Sequence, residues 1–190
     1  MSKMRIAVVL SAAVAVGTAG GVTAQNPVAN PGFERGLQGW DTRADGDTGN
    51  VTVVDGGATG KQCALIDKVG STEQWTAVGI VQEVAVEPNA LYRLSLRSRT
   101  DIQENAVSYA FRAFISSPDA PEKDANRVIP ASDDWAAFQW EHSTGPTVER
   151  ITVSILLTYS SGKVWIDDVQ LEKRGQSIEA ESFPDATSAR

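Results

Sequence analysis

Cysteine and histidine are nearly absent from this 190-residue chain, which holds one of each, Cys63 and His142. A single cysteine excludes an internal disulfide, so the fold must be held by its apolar core, by a metal, or by both. Cys63 sits in the apolar run Cys63-Ala64-Leu65-Ile66 and reads as a buried small hydrophobe. With one histidine, any Ser–His–Asp chemistry would have to use His142, and no Gly-x-Ser-x-Gly motif accompanies it. His142 stands near a strand end beside Ser143 and Thr144, where a surface position is expected. Paired acids are missing too. A glycosidase needs two carboxylates facing each other across a cleft, and Glu83 and Glu87 are the nearest isolated pair, with Glu87 at a turn. The chain is therefore expected not to be an enzyme. Basic residues are outnumbered, 17 against 24 acids, for a net charge of −7. Such a surface argues against nucleic acid and anionic lipid as partners.

Long apolar runs are confined to the N-terminus. Lys3 and Arg5 precede an apolar stretch from Ile6 to Val16, followed by small residues and Val22-Thr23-Ala24. This is the three-part pattern of a secretory signal peptide over residues 1–24, with a mature chain beginning near Gln25. The stretch is too short to read as a stable membrane span, although an uncleaved anchor is the alternative. A secreted location, extracellular or periplasmic, follows from the signal. The remainder is long enough for one domain with a proper core.

Helical periodicity is the last thing lacking; what is present is alternation. Val51–Val54, Gln62–Ile66, Val78–Val86, Leu91–Arg99, Val107–Ile115, Trp135–His142, Arg150–Thr158 and Lys163–Leu171 all read as strands. Tyr92, Leu94 and Leu96 share one face of theirs, and Arg93, Arg97 and Arg99 the other. Phe111, Ala113 and Ile115 oppose Arg112 and Phe114. Eight to ten short strands with one buried face each predict an all-β fold, a two-sheet antiparallel β-sandwich. Residues 116–134 read as a long loop, and residues 174–190, poor in apolar side chains, as a disordered tail. Asp41, Asp45 and Asp47 read as a polar turn, since their spacing does not fit a helix-loop-helix calcium loop.

Two segments at opposite ends of the domain carry a family resemblance. One is Asn30-Pro31-Gly32-Phe33-Glu34 with Gly36 and Gly39-Trp40; the other is Val164-Trp165-Ile166-Asp167-Asp168-Val169-Gln170-Leu171-Glu172. Between them lie Val81-Gln82-Glu83-Val84-Ala85-Val86-Glu87-Pro88, Leu91-Tyr92-Arg93-Leu94-Ser95, and Trp135 with Phe138. Together they resemble a carbohydrate-binding module of the family 4, 9 and 22 type, a galactose-binding-like jelly roll, over residues 25–173. The resemblance implies a free-standing, monomeric module that binds a polysaccharide or oligosaccharide, and a structural calcium ion. By resemblance, Glu34 and Asp167 would ligate the ion through side chains, and Gly32 and Lys61 through backbone carbonyls. Calcium wants hard oxygen ligands, and the two carboxylates, in otherwise apolar first and last strands, would be costly to bury alone. Edge residues paired with Lys or Arg are the alternative. An acidic ligand that family members add three residues before the Lys61 position is replaced here by Ala58.

The resemblance also implies a sugar cleft on the concave sheet, with Trp75 at a stacking position. Rings stack on the flat faces of sugars and polar groups meet the hydroxyls. Alternation adds Gln82, Arg97, Arg112 and Phe114 as ligand-binding candidates, with a solvated convex face as the alternative. Trp40, Trp135, Trp140 and Trp165 are expected in core or strand-end packing. If Arg93, Arg97, Arg99 and Arg112 line one cleft, they would favour an anionic glycan through charge-assisted hydrogen bonds. A structural or adhesive envelope protein with the same fold and no sugar binding is the competing function, and a glycan-cleaving enzyme the third.

Overall fold

The computed structural model describes residues 26–69, 76–102 and 110–176. The expected signal peptide, Trp75, Tyr109 and residues 177–190 lie outside the described residues.

Eleven strands follow one another in this part of the chain: β1 (Glu34–Leu37), β2 (Asp41–Ala44), β3 (Gly49–Asp55), β4 (Gln62–Lys68), β5 (Ala77–Ala85), β6 (Ala90–Ile102), β7 (Phe111–Ser116), β8 (Ala125–Val128), β9 (Ala136–Ser143), β10 (Arg150–Thr158) and β11 (Gly162–Gln176). Ten of them form two five-stranded sheets, β2-β5-β10-β7-β8 and β3-β4-β11-β6-β9. All eight neighbouring strand pairs in these two sheets are antiparallel. The all-β jelly roll is therefore the fold of the chain.

The core lies between the sheets and comes from the alternation. Ile151, Val153, Ile155 and Leu157 of β10, and Phe111, Ala113 and Ile115 of β7, enter it from one side. Tyr92, Leu94 and Leu96 of β6 meet them from the other, with Ile66, Val164 and Ile166. Fully burying one such aliphatic side chain is worth roughly 1.5–3 kcal/mol. Cys63 is buried, and burial pushes its thiol up to about 11, so it stays protonated. β5 and β6 are joined by a turn that crosses from one sheet to the other, not by a hairpin, and Tyr92 fixes that turn, its hydroxyl accepting the Glu87 amide at 2.9 Å. Asn26 ties the start of the described chain to its end: its amide donates to Val169 O and its carbonyl accepts Leu171 N.

Several expectations need correction. The 116–134 loop contains a short 3-10 turn, Pro121–Lys123, and the edge strand β8. β2, which the sequence offered as a polar stretch, pairs with β5 through its backbone although all four of its residues are exposed. β11 runs to Gln176, so residues 174–176 belong to the sheet rather than to a tail. His142 is buried against Trp140, ring centroids 5.8 Å apart, not on the surface. Trp40 and Trp140 are core residues, whereas Trp135 and Trp165 flank Arg99 on the outside of the second sheet, its guanidinium carbon 4.3 Å from the Trp165 ring centre and 5.8 Å from that of Trp135.

Candidate functional site

The outer face of the β2-β5-β10-β7-β8 sheet carries two side-chain rows that run across all five strands. The register places Arg43, Gly79, Leu156, Arg112 and Val128 in one, and Asp41, Val81, Ser154, Phe114 and Asn126 in the other. Arg43, Phe114, Ser154, Leu156, Asp124 and Asn126 line a cavity of about 240 Å³ there. Leu156 is buried although it points away from the core. It lies over Gly79, where an added Cβ would overlap the Ile155 carbonyl and come within 2.8 Å of Leu156 Cδ2. The glycine thus lets an apolar floor settle into the groove. Polar groups surround that floor. Arg112 Nη1 donates to Asn126 Oδ1 at 3.3 Å, and Arg43 is fixed by a double hydrogen bond to Asp45. The Arg43 guanidinium holds the Asp45 carboxyl below its ordinary range. This surface presents a flat apolar centre between donors and acceptors.

Two of the candidate ligand residues, Arg112 and Phe114, meet on this face. Trp75 lies outside the described residues, two positions before the first residue of β5. Two candidates belong elsewhere. Gln82 points inward and is 5 % exposed. Its Oε1 accepts Ala29 N at 2.7 Å, and its Nε2 donates to Ala29 O at 3.2 Å and to Gly39 O at 2.8 Å. The amide is used up in clamping the N-terminal segment, so it has nothing left for a hydroxyl. Arg97 stands on β6, in the other sheet, 3.5 Å from Asp168. The four arginines therefore do not line one cleft. Arg93 pairs with Glu141 at 2.8 Å, Arg97 with Asp168, Arg99 stacks on tryptophan, and Arg112 is on the opposite sheet. Sequence reasoning missed Arg43, Ser154, Leu156 and Asn126. Arg43 and Asn126 lie on short edge strands with no apolar pattern to announce them.

A second set of side chains converges where the first and last strands meet. Glu34 Oε1 accepts the amides of Lys61 (2.6 Å) and Gln62 (2.9 Å). These amides, that of Gln62 first, hold the exposed carboxyl below its ordinary range. Asp167 is fully buried, its Oδ2 accepting Thr59 N at 3.0 Å and its Oδ1 accepting Asp168 N at 2.8 Å. Burial raises its pKa, and neighbouring Asp168 adds to the rise. Glycine backbones crowd both carboxylates. A Cβ on Gly60 would overlap Glu34 Oε1, one on Gly57 would lie 2.8 Å from Asp167 Oδ2, and one on Gly32 would lie 3.5 Å from Asp167 Oδ1. No group of three or more acidic, histidine or cysteine side chains placed to hold a metal ion occurs among the described residues. A cation here would draw on these two carboxylates and on backbone carbonyls. An all-oxygen donor set around a buried, unneutralised carboxylate fits calcium chemistry.

A family model described as a carbohydrate binding domain matches residues 25–162. The tRNA nuclease WapA of Bacillus subtilis (strain 168) is 28% identical over 178 residues, covering 82% of this chain and 7% of that protein. Exochitinase 1 of Streptomyces olivaceoviridis is 28% identical over 178 residues, covering 94% of this chain and 27% of that protein. The chain thus spans only a small part of the length of these curated relatives. Among solved structures, a family 61 carbohydrate-binding module in complex with β-1,4-galactotriose superposes with a TM-score of 0.57 at 18% identity, covering 79% of this chain and 99% of that one.

Proposed function

Because the chain belongs to the carbohydrate binding domain family, we propose that it is a secreted, non-catalytic and monomeric module that holds a polysaccharide or oligosaccharide against the outer face of the β2-β5-β10-β7-β8 sheet. The observation that supports this most is the groove over Leu156, where Phe114 stands between Ser154 and Asn126 in one transverse row. A sugar ring laid on this surface buries its C–H face against Phe114 and Leu156. Arg112, Asn126, Ser154 and Arg43 exchange hydrogen bonds with its hydroxyls. Trp75, the stacking candidate of the sequence, lies outside the described residues; loss of glycan binding in Trp75→Ala with an unchanged fold would add it to the site. The paired arginines leave no concentrated positive field, which favours a neutral glycan over a uronate polymer.

Calcium would be held by the carboxylates of Glu34 and Asp167 and the carbonyls of Gly32 and Lys61. Its chemistry there is structural: it neutralises a buried carboxylate and ties the first strand to the last. The residues of the sugar groove play no part in that site.

Retention on immobilised β-1,4-galactan, xylan and chitin, with calcium and with chelator, tests the proposal. Binding to at least one polymer with no reducing ends released is the expected result. No retention on any of them would leave the structural or adhesive role. Release of reducing ends would make the protein an enzyme.

A further inference from the structure

The outer face of the other sheet holds a larger cavity than the groove just described. It has a volume of about 520 Å³ and is lined by Thr59, Ser95, Arg97, Gln139, Asp168 and Gln170, among others. The register explains its shape. Gln170 of β11, Ser95 of β6 and Gln139 of β9 stand opposite one another in a single row across three strands. In the next row along β6, Arg97 stands opposite Ala137. Ser95 thus forms a low floor between two long amides, Gln170 and Gln139, and Ala137 leaves the β9 side low beside Arg97. Such a volume suits a bound small molecule or a stretch of polymer.

The chemistry of the trough is unusual for a solvated sheet face. Gln139 and Gln170 are exposed and neither side chain has a hydrogen-bond partner among the described residues. Each offers a donor and an acceptor together. The charges around them are matched: Arg97 with Asp168, and Arg93 with Glu141. Thr59 also donates its hydroxyl to Asp168 at 2.6 Å, which fixes that wall. The centre is therefore polar and uncharged. Two residues beyond Arg97, on the same side of β6, Arg99 stacks between the half-buried rings of Trp165 and Trp135. Arg99 Nε is buried and has no hydrogen-bond partner among the described residues. Arg99, Trp165, Asp101 and Asp133 line a further cavity of about 380 Å³ along the strand.

We propose that this face is a second glycan-binding site, separate from the first and on the opposite side of the sandwich, for a neutral saccharide lying along β6. Uncharged amides and a hydroxyl flanked by neutralised ion pairs suit hydroxyls better than carboxylates or phosphates. The edges of Trp165 and Trp135 give the chain an apolar end. A module with sites on both outer faces holds two saccharide chains at once. The inference rests on the family's saccharide recognition, but it concerns a different set of residues from the proposed groove.

Calorimetric titration of the full chain with β-1,4-galactotriose, xylohexaose and N-acetylchitohexaose separates the two. The variants are Gln139→Ala/Gln170→Ala and Phe114→Ala, each checked by thermal unfolding. Two sites per molecule are expected for the wild-type chain with at least one probe, and one for each variant. The wild-type chain alone would then precipitate or thicken the matching soluble polysaccharide. A single site abolished by Phe114→Ala and untouched by Gln139→Ala/Gln170→Ala overturns the second site and leaves the groove standing. A single site lost only in the glutamine variant overturns the groove and keeps the β6 face. No binding of any probe overturns both.

Discussion

Glu34 and Asp167 grip one loop from two sides: Lys61 donates its backbone amide to the first and Thr59 to the second. The loop that joins β3 to β4 is thus clasped between the opening and closing strands of the domain. Asp167 is fully buried, and burial disfavours its ionised form. A divalent cation would stabilise both carboxylates in their charged forms.

Calcium should therefore raise the unfolding temperature, and chelator should reverse the rise. At a calcium concentration about a hundred times the dissociation constant the gain is about 2.7 kcal/mol. Asp167→Asn and Glu34→Gln should each abolish the calcium-dependent shift. An equal shift in the wild-type chain and both variants would place any calcium elsewhere.

The pH dependence of stability in chelator carries the mark of Asp167. Its carboxyl titrates above the ordinary 3.8 in the folded chain because it is buried. Ionised Asp167 therefore opposes folding above its folded pKa, and this penalty is relieved as pH falls through that value toward 3.8. Asp167→Asn should remove this relief, as seen in denaturant midpoints across the window.

His142 acts in the opposite direction. Burial holds its pKa below the ordinary 6.5. Its neutral form supports folding above pH 6.5, and this support is lost as pH falls from 6.5 through the lower folded value. His142→Gln should flatten that limb of the denaturation profile. An unchanged limb would mean that the imidazole is as accessible to protons folded as unfolded.

Gln82→Leu should cost stability, on the order of 3 kcal/mol, because two backbone carbonyls and one amide lose their partner. Glycan affinity at the groove should stay within a factor of two. A large loss of affinity in a protein of undiminished stability would return Gln82 to the ligand set.

Phe114→Ala should do the reverse. Removing the ring from the groove should weaken glycan binding at least tenfold, about 1.4 kcal/mol, with little change in unfolding temperature. Arg112→Ala should have a smaller effect on affinity. A Phe114→Ala protein that binds normally would move the sugar off this face.

Alternation made the long strands legible. In β10, Ile151, Val153, Ile155 and Leu157 enter the core as their spacing implies. The same rule, carried through β5, aligns Gln82 with the buried Val78, Ile80 and Val84, so its inward direction was present in the sequence and hidden by its polarity. Which sheet a strand joins was not legible. Arg97 and Arg112 both point outward, but β6 and β7 belong to opposite sheets, and only long-range pairing decides this. β2 and β8 escaped notice because an edge strand can be held mainly by backbone bonds: no β2 side chain enters the core, and only Ala125 of β8 packs against it. The carboxylate pair was legible only through resemblance, since Glu34 and Asp167 are brought together by the whole sandwich.

β11 is the middle strand of its sheet, flanked by β4 and β6, and Asn26 is laced to it at Val169 and Leu171. A pulling force applied between residues 26 and 176 would thus load β11 from within, since Gln176 is its last residue and Asn26 is bonded midway along it. Moving the strand would break rows of hydrogen bonds to both of its neighbours together rather than one at a time. Resistance to tension would then centre on the strand that also holds Asp167.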